Sequence, residues 1–371
     1  MKRTHGCAFS VDALDLLLPD ECQLIILSFL PLRDVYRIAS SSKRIKALVY
    51  AAGRLKAFEM SAMRNDTAIK FGNAHGRKIE RLTIHGMRIS RALSDNLAKF
   101  VHLKHLDTTC AWKSPSVNDR FVSVVSKLPL QSIRFGRNEI TERGFRMLCN
   151  NLGKTLLDLD FNSPTLRGRS FYHIVRLQNL KHLTFRSSQN LDPSVIPFIC
   201  SLPKLKTLQL SFLPLISGAC ISTIASSPLK IETLVLNGMY LNEDHCLQLN
   251  KLSPSLKILS ICHPKISERV LNFLRLENLS VFTIFCAVNL GGLDFLQGLK
   301  NLKGLCLYRC GVRMKSLNKW ARTRSHLKFD IYKLCPFRVA GVAVEDEQLN
   351  SLQNVSELCI MRRPYRSVFY S

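Results

Sequence analysis

Apolar positions recur along this chain in the order apolar-x-x-apolar-x-apolar. The pattern occurs as Ile79-Leu82-Ile84, Leu130-Ile133-Phe135, Leu156-Leu159-Phe161, Leu180-Leu183-Phe185 and Leu205-Leu208-Leu210. It continues as Ile231-Leu234-Leu236, Leu256-Leu259-Ile261, Leu279-Phe282-Ile284, Leu302-Leu305-Leu307 and Val355-Leu358-Ile360. Two looser copies fill the gaps: Leu103-Leu106 with Thr108 in the third place, and Leu327 followed by Phe329 and Ile331. Twelve copies thus start at intervals of 23 to 28 residues. In a chain that is 46% apolar, a single triplet arises by chance, but twelve in one register do not.

The spacing has a physical reading. The short alternating part of each copy points its apolar residues to one side of a strand. The remainder must carry the chain back to start the next strand, and most of these returns have helical periodicity. Val117 to Leu128 and Thr141 to Leu152 are predicted helices. Thr141, Ser217, Asn242 and Ser267 stand where N-caps belong. No single repeat can bury its own apolar face. Stacking buries a continuous leucine core and joins the strands in parallel. The array resembles the leucine-rich-repeat family, whose period is roughly 20–29 residues. Its repeat length resembles the cysteine-containing subtype, with Asn138, Cys310 and Cys335 at that subtype's Asn/Cys place. Met87, Pro164, Leu213, Met239 and Pro264 depart from it. The expected fold is an α/β solenoid of about twelve repeats over residues 79–371. Its parallel strands would line the concave face and its helices the convex face.

The residues before the repeats follow other rules. Leu18-Pro19-Asp20-Glu21 reads as a helix start, with proline in the first turn and acids at the positive end of the dipole. Leu24, Ile25, Ile26, Leu27, Phe29 and Leu30 then follow almost without a polar break. A small domain cannot bury a helix that is apolar nearly all round, so part of it should meet a partner. The segment from Leu16 to Val49 resembles an F-box. Leu18, Pro19, Glu21, Ile26, Leu27, Leu30, Leu32, Asp34 and Val35 match motif positions, while Ser41 and Ile45 replace a frequent Val and Trp.

That resemblance implies docking onto a Skp-family adaptor, and through it onto a cullin-RING ubiquitin ligase of the SCF type. Leu18, Pro19, Leu24, Ile26, Leu27, Leu30, Leu32 and Val35 would form the adaptor-binding set. The repeats would present a protein substrate, and the chemistry would belong to other subunits. The expected division is a tail over 1–15, the F-box over 16–50, a helical linker or N-terminal cap over 51–78, and the solenoid from 79 onward.

Charge adds a partner class. There are 53 basic and 27 acidic residues, a net charge of +26. Such an excess favours acidic partners: nucleic acid, an anionic membrane or an acidic protein. The basic residues are spread out and form no long tail, which weakens the nucleic-acid reading. No membrane partner is expected. On the strand face, Arg81, His85, His105, Arg134, Arg137, His182 and Arg186 are candidates to grip acidic or phosphorylated side chains. Phe285 and Tyr308 are candidates to anchor an apolar one. A solvated basic face with incidental hydrophobes is the plainer alternative. Lys104, Lys181, Lys206, Lys257, Lys303 and Lys328 each follow the first leucine of their repeat. Stacked, they would form a column that repels itself unless screened or matched by an acidic ligand, or they would serve solubility alone.

Other chemistry finds little support. No phosphate-binding loop, nucleophile elbow or C-x-x-C pair occurs, so neither catalysis, a metal nor a cofactor is expected. The thirteen cysteines form no framework, and the opening residues lack a signal-peptide apolar core. Free thiols and a cytoplasmic or nuclear location are therefore expected. The competing functional reading is a basic repeat scaffold that binds an acidic protein or nucleic acid with no ligase link.

Overall fold

Eleven of the twelve apolar triplets lie on strands of a computed structural model of the protein. The model describes residues 19–29, 34–35, 38, 42, 44–45, 48–49, 56–61, 63–110, 117–324 and 326–332. The triplet at Val355, Cys335 and the last residues of the chain fall outside that set. The chain divides into two units, residues 1–139 and 140–371.

In the first unit, α1 (Asp20–Phe29) opens the described chain. Four strands follow: β1 (Ala57–Ser61), β2 (Arg81–His85), β3 (His105–Cys110) and β4 (Ser132–Arg137). They pair in parallel in chain order, with Phe58 opposite Leu82, Leu82 opposite Leu106 and Leu106 opposite Ile133. The returns are helical: α2 (Asn65–His75), α3 (Arg91–Asn96) and α4 (Asp119–Val125). Ser90 and Asn118 start α3 and α4 by accepting from the amides of Leu93 and Phe121 at 3.2 and 3.1 Å.

The segment over 51–78 holds the expected helix, α2, and in addition strand β1. Leu55-x-x-Phe58-x-Met60 is one more copy of the triplet, 24 residues before Ile79. Phe58 and Met60 are buried while Glu59 and Ser61 face out, as alternation requires. Phe58 stacks on Phe71 of α2 with ring centroids 3.7 Å apart.

The second unit repeats the same plan. Its strands are β5 (Asp158–Asn162), β6 (His182–Arg186), β7 (Thr207–Ser211) and β8 (Thr233–Asn237). They continue as β9 (Ile258–Cys262), β10 (Val281–Phe285), β11 (Gly304–Tyr308) and β12 (Lys328–Tyr332). All pair in parallel in chain order, and Leu183, Leu208, Leu234, Leu259, Phe282 and Leu305 stand in one row. Each of those six is at most 1% exposed. A buried leucine contributes about 2 kcal/mol, so such rows dominate the stability of the stack. Parallel strands with helical returns at this period are the leucine-rich-repeat architecture.

Return segments here vary more than the periodicity predicts. α5 (Glu142–Leu152), α6 (Ile196–Cys200), α7 (Cys220–Ser226), α8 (Glu243–Leu249), α9 (Glu268–Leu271) and α10 (Met314–Thr323) alternate with 3-10 turns, the longest at Gly168–Arg176. Asn242 caps α8 reciprocally: its side chain accepts from the His245 amide at 2.9 Å, and His245 Nδ1 accepts from the Asn242 amide at 3.2 Å. Thr141 and Ser267 precede α5 and α9 without a side-chain cap bond. Ser217 accepts instead from Ala219, one residue before α7 begins. Phe145, Phe161, Phe171 and Phe185 form an edge-to-face chain with centroids 4.7 to 5.9 Å apart.

Two details mark how strands end. A residue with positive φ follows directly: Gly86 after β2, Ser187 after β6, Phe212 after β7, Gly238 after β8, Cys286 after β10 and Arg309 after β11. At the Asn/Cys place, Asn138 donates to the Gly136 carbonyl and Cys310 to those of Ile284 and Tyr308. Met87, Leu213 and Met239 bury an apolar side chain at the same place.

Candidate docking surfaces

Helix α1 is directly preceded by Pro19, whose carbonyl accepts from the Gln23 amide at 3.1 Å. Asp20 in its first turn pairs with Arg44 at 2.8 Å. Apolar residues of this segment divide sharply. Leu27, Val35, Ile45 and Val49 are buried, whereas Ile25 is 58% and Ile26 41% exposed. Of the expected adaptor-binding set, Ile26 and Pro19 therefore reach solvent. Leu27 and Val35 do not, because they supply the core that holds the segment together. Ile25, which the motif positions did not single out, is the most exposed of the group. Leu24 lies on α1, while Leu18, Leu30 and Leu32 lie outside the described residues. Ile45 fills an interior place with an aliphatic side chain.

The strand-face candidates separate between the units. In the first, Arg81, His85, Arg134 and Arg137 are exposed and His105 is half-buried. Arg81 stands in register with His105, and Asp107 with Arg134. Asp107 accepts from the amide and the hydroxyl of Thr109 at 2.9 and 2.7 Å. The first face is thus cationic with an acid set into it.

In the second unit, His182 is exposed and in register with Asp158. Arg186 is hydrogen-bonded to the carboxylate of Asp160, itself 4% exposed. This corrects the reading of Arg186 as a cation available to a ligand, because its charge already balances a buried acid. Phe285 and Tyr308 are adjacent on β10 and β11, half-buried, with ring centroids 5.8 Å apart. The Arg309 guanidinium lies 5.5 Å from the centroid of the Tyr308 ring. This small aromatic step with a cation beside it can take an apolar or aromatic side chain.

Within each unit the lysines align, and they are not bare. Glu80 sits between Lys56 and Lys104, at 2.9 and 3.1 Å. Glu232 sits between Lys206 and Lys257, at 2.6 and 2.8 Å. The flanking ammonium groups donate to these carboxylates and hold each pKa down to about 2. Reading only the lysines missed both acids, though each also follows the first apolar residue of its repeat.

Among the described residues no group of His, Cys, Asp and Glu is arranged to hold a metal ion, and no helix is long and apolar enough to cross a membrane. Among the described residues, the cysteines from Cys22 to Cys310 whose side chains are described are thiols, not disulfides. Burial pushes the thiols of Cys220, Cys246, Cys262 and Cys310 up to about 12. These thiols are inert packing groups.

Comparison with known proteins adds one domain. Residues 16–52 match the model of the F-box domain. No curated protein matches the chain. A solved structure described as the crystal structure of the Rad7 and Elc1 complex in yeast overlaps 84% of this chain and 92% of its own, at 15% identity and a TM-score of 0.47. This chain carries an F-box domain at residues 16–52, followed by parallel-stranded repeats of the leucine-rich type.

Proposed function

We propose that the chain is the substrate-recognition subunit of an SCF-type ubiquitin ligase. Its F-box docks a Skp-family adaptor, and its repeats hold a protein substrate. Ubiquitin transfer is then the work of the partner subunits, and this chain contributes affinity and placement. The observation that carries the reading is the pair Ile25 and Ile26, held in solvent on a helix of the F-box segment while its neighbours Leu27 and Val35 are buried. Apolar side chains exposed beside each other on a helix offer area that a partner can bury. A substrate with acidic side chains suits the cationic first-unit face of Arg81, His85, Arg134 and Arg137, supported by His105. The aromatic step of Phe285 and Tyr308 suits an apolar side chain. Co-expression with a Skp-family adaptor tests the proposal. A stable complex carrying a cullin-RING assembly is expected, and a folded chain that never co-purifies with the adaptor rejects it.

A further inference from the structure

The lysine column changes character at Ser280. Backbone amides step along it, Ser280 donating to the Lys257 carbonyl at 2.8 Å and Lys303 to the Ser280 carbonyl at 2.9 Å. Ser280 therefore occupies, between Lys257 and Lys303, the position that Glu80 and Glu232 occupy between their own lysine pairs. A neutral hydroxyl replaces the bridging carboxylate, and it is turned onto the Lys257 carbonyl at 3.0 Å.

An open groove of about 770 Å³ lies at this place, lined by Pro254, Lys257, Asn278, Ser280, Lys300, Asn301, Lys303 and His326. No carboxylate is among the lining residues. The walls are firm: Asn278 donates to the Pro254 carbonyl at 3.1 Å and Asn301 to the Glu277 carbonyl at 2.8 Å. Lys257 also reaches Glu232, whereas Lys300 and Lys303 are exposed on the other side of the groove.

We propose that this groove binds a Glu/Asp-rich segment of a partner protein, one carboxylate of which bridges Lys257 and Lys303. The two lysine–glutamate–lysine bridges of the chain, one of which shares Lys257, show the geometry that such a carboxylate would reproduce. Lining chemistry disfavours the neighbouring classes. No arginine is present to grip a phosphate bidentately. No Phe, Tyr or Trp is present on which bases could stack. The site is distinct from the Phe285–Tyr308 step, which lies at the opposite end of the same strands, about 16 Å away at 3.3 Å per residue.

The test is binding of a fluorescent oligoglutamate peptide to the full chain without adaptor, so its outcome is independent of the F-box reading. Ser280→Glu supplies the missing carboxylate from within. It is expected to weaken peptide binding about tenfold or more, the loss of a charge-assisted hydrogen-bonded contact. Gln297→Glu, an equal charge change at an exposed position outside the groove, is expected to cost about twofold at most. Lys303→Met should match Ser280→Glu, with thermal melts confirming that all three variants fold. Equal losses for Ser280→Glu and Gln297→Glu would reduce the effect to net charge and overturn the proposal. So would wild-type affinity in Ser280→Glu, tighter binding of a phosphoserine peptide or a single-stranded oligonucleotide, or no binding of oligoglutamate at all.

Discussion

Arg186 on β6 neutralises Asp160 on β5, reaching across one strand spacing to a carboxylate that is almost fully enclosed. Removing one partner of a buried ion pair leaves the other charge uncompensated, which outweighs the modest worth of the pair itself. Arg186→Met should therefore cost about 3 kcal/mol in chemical denaturation. Arg186→Met with Asp160→Asn should recover much of that loss. Equal destabilisation of the single and double variants would mean that packing of the arginine stem, not its charge, is what matters.

The F-box segment offers a contrast between neighbouring residues. Ile25→Asp changes an exposed side chain, and Leu27→Asp puts a charge into an enclosed one. The first should leave the thermal melt in place and abolish adaptor capture. The second should unfold the segment and lose capture as a consequence. Capture that survives Ile25→Asp at unchanged strength would place the adaptor contact elsewhere.

Aromatic packing sets a third expectation. Phe171 meets Phe145 and Phe185 at 4.7 and 5.0 Å and is fully buried. Phe171→Ala should cost about 4 kcal/mol, the usual loss for an emptied aromatic site. Asn242→Ala, which removes a reciprocal cap, should cost about 1 kcal/mol. Urea titration separates the two readily. A Phe171→Ala loss no larger than that of Asn242→Ala would show that the neighbouring rings close the gap.

Stability should fall with acid in two stages. His173 is buried with neither ring nitrogen hydrogen-bonded, Nε2 lying 4.0 Å from Glu142 Oε1. Burial, then the nearby Arg176, hold its pKa below 6.5, with Glu142 opposing. The unfolded chain takes up this proton before the folded one does. Stability therefore declines as pH falls below 6.5, and the decline ends once the folded imidazole also protonates. Glu80 and Glu232 act in the lower window. Their folded pKa of about 2, against 4.5 for a free side chain, gives a contribution that is complete above 4.5 and lost as pH drops toward 2. His173→Leu should diminish the upper stage, to which His245 and His263 also contribute, and Glu80→Gln with Glu232→Gln the lower, to which Asp192 and Asp294 also contribute. A pH profile unchanged by either substitution would refute the corresponding assignment.

Most of the fold was legible because its driving force is periodic. Leu208 and Leu234 are buried in register because each sits at the same place in its repeat, and periodicity is what sequence displays best. Strand β1 escaped although Leu55, Phe58 and Met60 keep the spacing, because its surroundings read as a helical connector. The docking surfaces were less legible, since they depend on pairings between residues about 25 positions apart. Arg186 and Asp160 both occupy places that alternate outward from buried strand residues, and nothing local says that one is consumed by the other. Glu80 and Glu232 were hidden for the same reason: each acts on lysines one repeat away on either side. In the F-box segment the apolar run was plain, but which of Ile25, Ile26 and Leu27 would face inward depended on helix phase and on neighbours supplied later in the chain.

Ser187, Phe212, Cys286 and Arg309 each bend the chain out of a strand in a conformation that suits glycine far better than the residue present. Every such corner holds a residue with a side chain in left-handed backbone, which costs energy relative to glycine. Repeats that tolerate these corners carry tension that could be released one site at a time, and Gly86 and Gly238 show the relaxed form already in use. The architecture thus holds an unspent margin of robustness, accessible through loops that touch neither the leucine rows nor the basic groove.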